Sequence, residues 1–102
     1  MIAVVLTAPW WDRGATKAGL DLAMTLASFD MPFELFIQGD ACGMQRADGG
    51  QGHPSKALSS LGLYGKPNWF TDQDGPWIDG ACVLSSDDCA QRIRACSQVV
   101  RV

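Results

Sequence analysis

Histidine is almost missing from this chain, and its scarcity removes several chemistries at once. His53 is the only one. The four cysteines, Cys42, Cys82, Cys89 and Cys96, include no Cys-x-x-Cys. No Cys/His pair therefore has metal-site spacing, and no metal is expected. A Ser-His-Asp relay would rest on one histidine beside Pro54, where a helix-start role suffices. Basic residues are also few. Eight Lys and Arg stand against eleven Asp and Glu, and they are scattered. A nucleic-acid surface needs a basic patch, so no direct nucleic-acid partner is expected. No apolar run approaches the roughly 18 residues of a membrane span. The first residues carry no basic segment with a small-residue cleavage site, so no signal peptide is expected. A cytoplasmic protein follows as the default, in which an even cysteine count is weak evidence for disulfides.

A phosphate loop is absent too. Gly14-Ala15-Thr16-Lys17 lacks the earlier glycine and the Lys-Ser/Thr order of that motif. Trp10 and Trp11 occupy the place where a phosphate needs close backbone approach. No nucleotide, flavin or other cofactor is expected.

What is present is a core. Apolar residues make up 47 % of the chain, which argues against disorder, and 102 residues suit a single domain over 1–102. The organising stretch is Ile2 to Met24. Ile2 to Leu6, closed by Thr7, is a short β-branched run without polar alternation. That pattern predicts a strand covered on both faces, as in a parallel sheet. The loop after it lies where open α/β sheets place their sites.

A helix is predicted from Gly14 to Ser28, with Ala15, Ala18, Gly19, Leu22, Leu26 and Phe29 on its apolar face. Asp30-Met31-Pro32 ends it. Phe33 to Ile37 is a second strand. Gly39 to Gly52, with five glycines, reads as a long irregular loop of the kind that is functional or mobile. A short helix is predicted from Pro54 to Leu61, with Ala57, Leu58 and Leu61 inward. Asn68 to Thr71 and Ala81 to Leu84 read as strands separated by turn chemistry. Ser85 and Asp88 have capping-box spacing ahead of a helix over Ser86 to Ala95. Gln98 to Val102 is a closing strand.

This order predicts a small three-layer flavodoxin-like α/β fold with a mainly parallel sheet of about five strands. Asp72 to Gly80 is short for a parallel crossover, which needs a dozen or more residues. The connection is therefore stunted, or the fourth strand lies outside the sheet.

Two features stand out as candidate sites. Trp10 and Trp11 are adjacent indoles in a loop and cannot both bury easily. They read either as an interface element or as rings covering the sheet end and a helix. Cys42 is the only cysteine in a glycine-rich loop after a strand. A reactive thiolate there needs exposure and a nearby cation, for which Arg46, His53 and Lys56 are the candidates. The alternative is an inert loop thiol. Cys82, Cys89 and Cys96 read as core residues, and Trp69 and Trp77 as core or cover. Asp87 and Asp88 suit a helix N-terminus without a catalytic role.

Several stretches together resemble the DsrE/DsrF-like family of sulfur-relay proteins, closest to the TusC/DsrF type. They are Ala8-Pro9-Trp10 leading to Gly19-Leu20-Asp21, and Ala27-Ser28-Phe29-Asp30-Met31-Pro32 followed by a strand, Gly39-Asp40 and Gln45. Leu61-Gly62-Leu63-Tyr64 and the terminal Val99-Val100-Arg101-Val102 complete the set. Order and spacing carry the likeness, not any single motif. The resemblance implies a parallel α/β fold and a place in a hetero-oligomer with TusD/DsrE-like and TusB/DsrH-like subunits, with a homo-oligomer as the alternative assembly. Such complexes pass persulfide sulfur, in one branch toward 2-thiolation of the tRNA wobble uridine, in another during sulfur oxidation. The accepting cysteine belongs to the TusD/DsrE type, and the TusC/DsrF type is its non-catalytic companion. Trp69-Phe70-Thr71-Asp72 holds no cysteine where relatives can carry one, which fits the companion. The competing expectations are a sulfur carrier using Cys42 and a small regulatory binding domain.

Overall fold

The computed structural model describes residues Met1–Val102. Five strands form one sheet: β1 (Ile2–Leu6), β2 (Phe33–Ile37), β3 (Trp69–Thr71), β4 (Ala81–Val83) and β5 (Gln98–Arg101). Their spatial order is β4-β3-β2-β1-β5, and every neighbouring pair is parallel. β1 is flanked on both sides, which explains its unbroken apolar run: Ala3, Val4 and Val5 are fully buried.

Helix α1 (Arg13–Ser28) begins one residue before the predicted start, because Asp12 is its N-cap and accepts a hydrogen bond from the Ala15 amide at 3.1 Å. Its buried face is Thr16, Gly19, Leu20, Ala23 and Ala27. The predicted face was rotated from this: Ala18 and Phe29 are exposed. Gly19 sets the rotation. A Cβ there would fall 2.5 Å from Leu6 Cδ2, so the missing side chain lets α1 lie against β1. The helix ends through Asp30 in the left-handed region (φ 55°), with the Met31 amide reaching back to the Leu26 carbonyl at 2.9 Å.

The Gly39–Gln45 segment is not irregular. It winds as a short 3-10 helix that buries Ala41, Cys42, Met44 and Gln45. Helix α2 (Ser55–Ser59) runs into a second 3-10 turn, Ser60–Tyr64, and Leu58 and Leu61 point inward while Ala57 is exposed. One face of the sheet (Val4, Leu6, Leu35, Ile37, Trp69) packs against these elements and α1. Helix α3 (Ser86–Ala95) covers the other face, where Ala3, Val5 and Phe36 meet Cys89 and Ile93. Ser85 caps α3 by accepting from the Asp88 amide at 3.1 Å.

β4 does belong to the sheet. A nine-residue link suffices because β3 and β4 are three residues long, so the return path is only about 10 Å. Trp77 and Ile78 of this link pack on the α1 side of the core. β4 is an edge strand, and this corrects the reading of one cysteine: Cys82 is exposed, while Cys89 is buried and Cys96 half-buried. No helix is long and apolar enough to cross a membrane.

Candidate functional site

The loops following β1 and β2 meet at the C-terminal edge of the sheet, and two structures are layered there. The outer one is aromatic. A turn closed by the Asp12 amide on the Pro9 carbonyl (2.9 Å) holds Trp10 and Trp11 between strand and helix. Thr16 Oγ1 donates to the Trp10 carbonyl at 3.1 Å, tying the loop to the first turn of α1. The Trp10 indole packs against Gly43, where a Cβ would overlap the ring. It also lies 4.9 Å from the His53 imidazole, centroid to centroid, and meets Trp11 edge-on at 6.1 Å. Trp11 is 62 % exposed.

These rings border a cavity of about 700 Å³, within the usual range for small-molecule sites. Arg13, Lys17 and Gly50 are among its other lining residues. Lys17 is paired with Asp21 at 2.7 Å, whereas Arg13 has no carboxylate at ion-pair distance. His53 Nδ1 accepts from the Ser55 amide at 3.2 Å and is 3.0 Å from Ser55 Oγ. With Nδ1 engaged as an acceptor from the Ser55 amide, Nε2 is the ring's donor.

The inner layer is a buried polar chain. Trp69 Nε1 donates to Gln45 Oε1 at 2.8 Å, and Gln45 Nε2 donates to Thr71 Oγ1 at 3.1 Å and the Cys42 carbonyl at 3.2 Å. Thr71 Oγ1 lies 3.4 Å from Cys42 Sγ, and the thiol donates to the Ile37 carbonyl at 3.5 Å. The chain thus runs from indole and amide through the hydroxyl to the thiol, and bonds in such a series polarise one another. Gln45 is fully buried, yet every buried side-chain nitrogen and oxygen in the chain has a partner.

Cys42 sits at the end of this chain, 2 % exposed. Burial pushes its thiol pKa up; the Thr71 hydrogen bond opposes this, and Asp72, with Oδ1 3.9 Å from the sulfur, adds to it. No cation contributes. Arg46 instead forms a two-pronged pair with Asp48, both contacts 2.9 Å. His53 lies tilted against Trp10, and Lys56 lies on exposed surface. The surroundings therefore favour the neutral thiol, the reverse of what activates a cysteine.

Of the residues singled out from sequence, Trp10 and Cys42 are brought close through Gly43, and Trp11 stands at the rim. Arg13 and Lys17, the contact of His53 with Trp10 and the Gln45–Thr71–Trp69 chain were not anticipated. The Cys42-Gly43 dipeptide was the one local signal: a glycine inside a buried turn marks the close approach of another group.

No family model matches the chain, and no curated protein matches it. Among solved structures, the chain is similar to the YchN protein from E. coli, with a TM-score of 0.83 over 99 % of this chain and 97 % of that one, at 17 % identity. The five-stranded parallel α/β architecture is the DsrE/DsrF-like fold, shared with YchN over essentially the whole length of both chains.

Proposed function

We propose that this chain is a non-catalytic subunit of a sulfur-relay complex of the TusBCD or DsrEFH kind, serving transfer of persulfide sulfur toward 2-thiolation of the tRNA wobble uridine. The fold and the motifs from Ala8 to Gln45 support membership of that group. The observation that carries the companion role is the state of Cys42. It is the cysteine of the 3-10 turn that follows β2 at the C-terminal edge of the sheet, and it is buried, away from cations and held neutral. Persulfide transfer needs a thiolate that a donor can reach. A TusD/DsrE-like partner would supply that thiolate, and a TusB/DsrH-like chain would complete the assembly. Trp11, an exposed indole on the rim, suits a contact residue in such an assembly.

The test is co-expression with the two homologous small subunits. The expected result is co-purification that Trp11→Ala weakens without changing the melting temperature. In parallel, the isolated chain is incubated with a persulfide donor and its intact mass taken before and after thiol reduction. A reducible added sulfur, absent from Cys42→Ser, would overturn the companion role in favour of a sulfur carrier. A stable monomer that retains neither homologue would overturn the assembly itself.

A further inference from the structure

We propose that the cavity between Trp11 and His53 binds a flat aromatic compound carrying one anionic group, a carboxylate or a phosphate. The site needs no second subunit, so the inference does not depend on the sulfur-relay reading.

The aromatic half of the inference comes from the walls. Trp10, Trp11 and His53 place three π-systems around one concave space of about 700 Å³. Trp10 cannot collapse further inward, because Gly43 already lies against its ring. Nor does it close the space from above, since Trp11 meets it edge-on at 82° and stays 62 % exposed. The pair therefore leaves an indole face open to a planar guest. Stacking of a planar ring on an aromatic side chain is favourable and tolerates many ring types.

The anionic half comes from the polar groups. Arg13 lines the cavity and is the cation there without an ion-pair partner, in a chain whose net charge is −3. Lys17 adds a second cation, and Asp21, the one carboxylate of the lining, is already engaged with it at 2.7 Å. The opposite wall is the glycine-rich 50–54 segment. The amides of Gly50, Gln51 and Gly52 make no hydrogen bond, and a Cβ at Gly50 or Gly52 would meet nothing within 4 Å. His53 offers one more donor at Nε2, because its Nδ1 accepts from the Ser55 amide. Two cations against one already paired carboxylate, around a space walled by rings, select for an aromatic acid over a neutral or cationic compound.

The experiment is a titration of the full chain with three probes of one shape: naphthoate, naphthyl phosphate and neutral naphthamide. Tryptophan fluorescence reads affinity, and backbone-amide and indole NMR shifts read location. The expected result is that an acid binds and shifts the Trp10 and Trp11 indole signals together with the Gly50 and Gly52 amides. Whichever acid binds more tightly identifies the anionic group. Arg13→Met should weaken that acid about tenfold, as loss of one charge-assisted hydrogen bond would, and naphthamide should bind unmodified protein about as weakly. Arg46→Met, on the separate Arg46–Asp48 pair, should leave binding unchanged. Arg13 and Trp11 are exposed, so Arg13→Met and Trp11→Ala should keep the parent melting temperature, and Trp11→Ala should abolish the indole shifts. The proposal is overturned by naphthamide binding as tightly as the acids, by indifference to Arg13→Met, by shifts that map elsewhere, or by no binding of either acid at millimolar concentration.

Discussion

The Trp10 indole rests directly on the backbone of Gly43, with Cδ1 and Nε1 occupying the space a β-carbon would take. Gly43 follows Cys42 in the chain, so the aromatic rim and the buried thiol are two layers of one structure. A change at either should be felt at the other.

Replacing Gly43 is the direct trial of that coupling. Gly43 has an ordinary negative φ, so alanine meets no backbone strain, only the ring. Gly43→Ala should cost about 1–3 kcal/mol, the usual range for overpacking, and should displace Trp10 toward solvent. Urea midpoints give the first number and a red shift of tryptophan emission the second. Unchanged values of both would show that the ring and the turn are independent.

Gln45 is the hub of the inner layer. Gln45→Leu keeps the bulk but leaves the Trp69 indole N–H without its 2.8 Å partner and removes a donor from Thr71. A loss of about 1–3 kcal/mol is expected for an orphaned buried donor, with faster exchange of the Trp69 indole proton. A variant as stable as the parent would mean that water replaces the amide.

The thiols should reveal themselves by pH and by alkylation. Burial raises the pKa of both Cys42 and Cys89. The unfolded chain therefore ionises these thiols first as pH rises. Stability is fully present below the ordinary thiol value of about 8.5 and declines as pH climbs through the higher folded values. Urea midpoints measured under reducing conditions should fall in the alkaline range, and Cys42→Ser should make the fall shallower. At neutral pH, iodoacetamide should label exposed Cys82 quickly and Cys42 only on unfolding. Rapid labelling of Cys42 would contradict its burial.

Much of the architecture could be read from local pattern. β1 and β2 are continuous apolar runs, and Ser85 with Asp88 marked the start of α3 because a cap is a short-range device. The site was less legible. A 3-10 turn repeats every three residues, so the pairs Ala41–Met44 and Cys42–Gln45 are too brief to stand out from a glycine-rich loop. Gln45 is buried only because Trp69 and Thr71, more than twenty residues away, satisfy its amide. Arg13 and His53 share a cavity through tertiary placement alone. Cys82 was misplaced because a sequence does not show which strand ends a sheet.

The pairing of β1 with β5 has a kinetic consequence. The Met1 and Ser97 backbones meet across 96 residues, and Ile2 stands beside Gln98. The β1 side of the sheet is thus completed by the contact of greatest sequence separation. β1 can find β2 through the local β1-α1-β2 crossover, but its other edge stays open until the far segment docks. Loop-closure entropy places that event late, so refolding should be slow for a domain of this size. Until β5 arrives, the most apolar strand of the molecule offers unpaired amides to any extended chain nearby, and the refolding yield should fall as protein concentration rises.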